Sequence, residues 1–176
     1  MADEKYLEAL KMAIGMERKG QKAYSDMAAR SRNQLGMKVF AYLAKDEIAH
    51  IEAIKEFSVK LAGGRILPDV EKLVTREHHK GNETIFNRPL EELKDSAGIG
   101  AGDLKAYKTA MQTEKDGYEF YKECLEGATD EMVKKLFTFL IEEESSHYQI
   151  LQDTYQYLAH PADWFAKQER PIFEGG

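Results

Sequence analysis

One cysteine, Cys124, excludes an internal disulfide and a thiolate cage for zinc or an iron-sulfur cluster. A metal in this chain would have to be held by oxygen and nitrogen. A basic excess is also missing. Lys and Arg number 25 against 31 Asp and Glu, a net charge of -6, so phosphate backbones and anionic lipid are excluded as first partners. No run approaches the roughly 20 apolar residues of a membrane span. The opening "MADEKYLEALK" lacks the apolar centre of a signal peptide. These absences predict a soluble, cytoplasmic protein. With 176 residues, one domain with a sizeable core is expected.

Prolines are scarce, four in all, and they leave long stretches free for helices. From Asp3 to about Ala29, Leu7, Leu10, Ala13, Ile14, Ala23, Tyr24 and Met27 recur mostly at three- and four-residue steps, which predicts an amphipathic helix. "SRNQLG" breaks it. A second pattern through Val39, Phe40, Leu43, Ile51, Ile54, Phe57 and Leu61 stops at Gly63 and Gly64. Asp103 is placed to cap a third helix, which runs to about Glu126 and is ended by Gly127. Thr129 or Asp130 caps a fourth that reaches about Leu158. Four such helices predict an all-α four-helix bundle over residues 1–158.

Residues 63–102 differ from their surroundings, with Pro68, Pro89 and clustered glycines. They read as a long crossover between helices two and three, with "PLEELKD" from Pro89 as a short helix within it. The tail, 159–176, carries Trp164, Phe165, Ile172 and Phe173 and is expected to dock on its own bundle rather than on a partner.

"FAYLAKDEIAH", Phe40 to His50, returns as "FTFLIEEESSH", Phe137 to His147, at an offset of 97 residues. The same offset lays "AIGMERKGQKAY" on "AMQTEKDGYEFY". Both halves therefore share one template, whose matching polar positions are Glu17, Glu47 and His50, then Glu114, Glu144 and His147. Each group lies near the middle of its helix, so in a bundle of antiparallel hairpins all six side chains arrive at one height. A Glu and a His three apart share a helix face. Four carboxylates buried together without partners would be strongly unfavourable, and two divalent cations would cancel their charge. Imidazole and carboxylate together suit iron or manganese better than calcium.

A single Glu-x-x-His is a cheap coincidence in a glutamate-rich chain. Only two of the five histidines have it, however, and they agree in register with a second pair of glutamates. Asp46 and Glu143 also match and compete as ligands, with Glu47 and Glu144 favoured. His78, His79 and His160 lack such context and are expected at the surface. Gly20 and Gly117, each one turn past a glutamate, are read either as close helix packing or as room beside the metals for oxidant or water. Tyr24 and Tyr121 are either core aromatics or hydroxyls bonded to a ligand carboxylate, able to pass an electron or proton.

The motifs "GMERKGQKAY", "DEIAHIEAI", "TEKDGYEFY" and "EEESSHYQIL" together resemble the rubrerythrin family of the ferritin-like superfamily. This resemblance implies a non-haem di-iron centre that reduces hydrogen peroxide in oxidative-stress defence. Its ligands would be Glu17, Glu47, His50, Glu114, Glu144 and His147, with Glu47 and Glu144 bridging and manganese or zinc as substitutes. It also implies a homodimer. Two departures matter. Many members carry another glutamate where this chain has Gly117, which bears on their redox-linked ligand exchange. Many also carry a rubredoxin-like domain with four cysteines, so here an external electron donor such as a rubredoxin-like protein is expected. Two alternatives remain: a ferroxidase that uses dioxygen to handle iron, and a metal-independent helical scaffold.

Overall fold

Between the first two helices, Asn33 adopts an extended backbone, and its side chain accepts the N–H of Gly36 to start the second. The helices so divided are α1 (Ala2–Arg30) and α2 (Gln34–Ala62), 29 residues each and roughly 43 Å long at 1.5 Å per residue. Gly63 ends α2 by returning its N–H to the Val59 carbonyl. Gly64 follows at φ +58°, where a side chain would be strained. The second hairpin is α3 (Ala101–Glu126) and α4 (Glu131–Ala159). Gly127 closes α3, and the Asp130 carboxylate accepts the N–H groups of Met132 and Val133 to open α4.

One expected cap is corrected. Asp103 does not cap α3, because the helix begins earlier: the Gly100 carbonyl already accepts the N–H groups of Asp103 and Leu104. Asp103 lies instead in the first turn, where its charge opposes the positive end of the helix dipole. A short helix, α5 (Pro161–Gln168), follows α4, and its Trp164 sets an edge against Tyr157 with ring centroids 5.2 Å apart.

This computed structural model describes residues 2–64, 66–67 and 100–168. The helix expected from Pro89, the histidines at 78 and 79, and the tail residues Ile172 and Phe173 fall outside them. Among the described residues there is no strand, and no helix is long and apolar enough to cross a membrane. The result is an all-α ferritin-like bundle in which α1 packs on α2 and α3 on α4, with α1 meeting α3 and α2 meeting α4.

The bundle's core is divided. At one end Tyr6, Leu10, Ile54, Phe57, Leu136 and Phe137 form one apolar cluster. At the other, Val39, Phe40, Leu43, Tyr107, Ile150 and Leu151 form a second. Each large side chain contributes about 1.5–3 kcal/mol by leaving water. Between the clusters lies a buried layer of charge-bearing side chains: Glu17, Asp46, Glu47, His50, Glu114, Glu143, Glu144 and His147.

Candidate metal centre

Each residue of this layer sits inside its bundle because its helix turns the same stripe inward: Ala13, Glu17 and Tyr24 on α1, Ala110, Glu114 and Tyr121 on α3. Three groups of three donors have ligand atoms within 4.8 Å of one another; beside His50, Glu143, His147, two of them centre on the glutamates: Glu17, Glu47, His50 and Glu47, Glu114, His147. Glu47 belongs to both. Glu144 is buried beside them, yet joins neither group.

The imidazoles stack between these carboxylates, ring centroids 5.3 Å apart. His50 Nδ1 lies 3.2 Å from Glu17 Oε2, and His147 Nδ1 lies 3.5 Å from Glu114 Oε2. The other nitrogen of each ring faces the opposite hairpin: His50 Nε2 is 3.3 Å from Glu143, and His147 Nε2 is 3.3 Å from Asp46. Asp46 and Glu143, weighed above as rival ligands, thus stand behind the histidines, although Glu143 also has a donor atom within 4.8 Å of both rings. A carboxylate holding Nε2–H fixes the ring and leaves the Nδ1 lone pair for a metal. Spacing alone placed these acids next to a glutamate but could not show which helix they would serve.

The tyrosines cross between the hairpins as well. Tyr24 donates to Glu114 and Tyr121 donates to Glu17. Burial, and then the negative carboxylates around them, hold both phenols well above their usual pKa, so both keep their protons. Removing one hydroxyl, Tyr24→Phe, should weaken metal binding by about 10–100-fold, the usual effect of losing a group that orients a ligand. A calorimetric titration with manganese checks this, and unaltered affinity would make Tyr24 a packing residue.

Gly20 and Gly117 lie directly against carboxylates, which favours the close-packing reading of the two above. A Cβ on Gly20 would stand 3.2 Å from Glu47 Oε1, and one on Gly117 only 2.9 Å from the carboxyl of Glu144. The side chains omitted here make room for carboxylates. Gly117→Ala is therefore expected to gain up to about 1 kcal/mol of helix propensity in the metal-free protein while lowering metal affinity. Denaturant unfolding with and without metal would show the two effects with opposite signs.

Without metal, protons balance the charge. Burial alone would raise the Glu17 pKa, but the Glu47 hydrogen bond and the His50 charge bring it down to about 2. Glu114 is lowered likewise, against burial, by Glu144 and His147. Burial and the neighbouring anion push Glu47 and Glu144 well above the carboxylate range. Burial opposes charge on the imidazoles, but Glu17 raises His50 well above its ordinary value and Glu114 raises His147 to about 10.

The donor set fits a pair of divalent cations. Glu47 Oε2, Glu114 Oε2 and His147 Nδ1 are buried without a hydrogen-bond partner, and their three residues make up one of the two groups. Buried polar atoms left unpaired are costly, and a single ion between them would satisfy all three. Glu17, Glu47 and His50 would hold a second ion, and an oxygen-rich shell with one imidazole each suits iron or manganese.

Comparison with known proteins agrees with the fold. The family profile described as Rubrerythrin matches residues 8–155. A solved structure of a hypothetical protein from Pyrococcus furiosus superposes with a TM-score of 0.61 at 25% identity, covering 90% of this chain and 93% of that one. No curated protein matches.

Proposed function

Since the chain belongs to the rubrerythrin family, we propose that it is a non-haem di-iron oxidoreductase that reduces hydrogen peroxide to water in oxidative-stress defence. The observation that carries this reading is the trio of Glu47, Glu114 and His147, three buried donor atoms that face one another without a hydrogen bond.

Two irons, when bound, supply the two electrons that convert one hydrogen peroxide and two protons into two waters. The rest is the work of the chain. Glu17 and Glu114 enter each from its own hairpin, and Glu47 belongs to two of the donor groups. Asp46 and Glu143 hold the Nε2 side of His147 and His50, so Nδ1 of each ring faces the carboxylates. Tyr24 and Tyr121 fix the carboxylates of Glu114 and Glu17 and keep a hydroxyl proton beside them. Apolar clusters at both ends exclude bulk water, which strengthens every charge interaction between them. In this reading a separate protein returns the electrons, and the chain works in the cytoplasm.

Anaerobic loading with ferrous iron, followed by stopped-flow mixing with hydrogen peroxide or with dioxygen, tests the proposal. Much faster oxidation by peroxide, ending at about two irons per chain, is expected. Preference for dioxygen with continued uptake of added iron would replace it with a ferroxidase.

A further inference from the structure

The two halves of the polar layer do not match behind their histidines. Tyr42 stands one turn before Asp46 on α2, and its hydroxyl donates to the Asp46 carboxylate. Asp46 in turn holds His147 Nε2 at 3.3 Å. The repeat puts Phe139 where Tyr42 stands, one turn before Glu143 on α4. Phe139 has no hydroxyl to give, and it meets His50 with a ring edge, centroids 6.0 Å apart. Glu143 is also the longer acid, its side chain 11% exposed against 4% for Asp46. It has an oxygen within 4.8 Å of a nitrogen on each imidazole. One histidine is therefore anchored by a chain of two bonds, the other by a single carboxylate at the edge of solvent.

The donor atoms on the far side of the rings differ in the same direction. His50 Nδ1 already has Glu17 Oε2 at 3.2 Å, a bond that an arriving ion must break. His147 Nδ1, Glu114 Oε2 and Glu47 Oε2 have no hydrogen bond to lose. Buried and unpaired, these three atoms have already given up their water, so a cation gains more among them.

We propose that the two cation positions fill in a fixed order, the one at Glu47, Glu114 and His147 first, and that Tyr42 strengthens this first position as a positioning residue acting through Asp46 on the His147 ring. The proposal rests on the metal-binding reading above, but not on the choice of oxidant. An imidazole held firmly at Nε2 keeps its Nδ1 lone pair aimed at the ion, and loss of such support lowers metal affinity by about 10–100-fold. The position at Glu17, Glu47 and His50 has the weaker anchor and must surrender the Glu17 bond, so it fills second.

Calorimetric titration of the full chain with manganese, one position disabled at a time, tests this. Glu17→Gln leaves the His147 position and should bind one ion. Glu114→Gln leaves the His50 position and should bind one ion about 10-fold more weakly. Adding Tyr42→Phe should weaken the ion of Glu17→Gln by about 10-fold and leave that of Glu114→Gln within about twofold. In the otherwise wild-type chain, Tyr42→Phe should lower the affinity of the first step and not the second, a reading that stands even where a single variant binds no ion. A merely structural Tyr42 would weaken both positions alike, which would overturn its role. Equal affinities in Glu17→Gln and Glu114→Gln, or the stronger one in Glu114→Gln, would overturn the order. Wild-type protein that takes up no manganese would remove the metal centre itself, and this proposal with it.

Discussion

Glu47→Gln is expected to reduce metal content from about two divalent ions per chain to none, while Glu144→Gln should remove about one. The difference follows from placement. Among the described residues Glu47 is the carboxylate that appears in two donor groups, whereas Glu144 lies beside Gly117 and in none. Gln keeps the volume, and burial already pushes the Glu47 carboxyl toward its neutral form, so the fold should be little disturbed. A site filled to 100 times its dissociation constant stabilises by about 2.7 kcal/mol, and each kcal/mol moves Tm by about 2–4 °C in a domain of this size. Two such sites should therefore raise the wild-type Tm by roughly 10–20 °C and leave that of Glu47→Gln unchanged. Elemental analysis with thermal melts checks both readings. Normal metal content in both variants would refute the ligand set.

The pH dependence of stability should change sign when metal binds. His147 is raised from an ordinary value of 6.5 to about 10, and His50 also rises. A group whose folded pKa is raised contributes stability below its unfolded pKa and loses it as pH climbs toward the folded one. Glu47 and Glu144, raised as well, act in the same direction. Glu17, lowered from 4.5 to about 2, contributes above 4.5 and loses that contribution as pH falls to 2. Metal-free protein should thus be most stable near the ordinary carboxylate value, and its Tm should fall as pH climbs above it, by on the order of 5–10 °C between pH 6.5 and 9. Metal-loaded protein should gain stability over the same interval, because ligands must release protons to bind. Melts of both forms with manganese would decide this. Parallel pH curves would mean that these side chains do not exchange protons for metal.

The helices were legible because their apolar positions repeat at a helical period and because Asn33, Asp130, Gly63 and Gly127 are cap chemistry. The six principal acids and histidines were legible because the template occurs twice. What could not be read was which hairpin each side chain serves. Tyr24 meets Glu114, and Asp46 meets His147, across gaps of 90 and 101 residues, which no local period encodes. The glycines could be read two ways for a related reason: an absent side chain announces space, and only packing shows Glu47 and Glu144 against it. Asp103 misled because a backbone carbonyl three residues earlier had already begun the helix.

The crossed pairs of the polar layer have an evolutionary reading. Tyr24 with Glu114 and Tyr121 with Glu17, Asp46 with His147 and Glu143 with His50, are related by the rotation that would relate two identical hairpins. The middle of this protein is, in pattern, a dimer interface enclosed within one chain. A single chain that carries both halves is under no obligation to change them in duplicate. That freedom is recorded wherever the repeat has drifted: Leu10 opposite Tyr107, Tyr42 opposite Phe139, Ile48 opposite Ser145. Two identical hairpins would have to change both of their outer helices at once. One chain carrying both can give one helix an apolar face and leave the other polar.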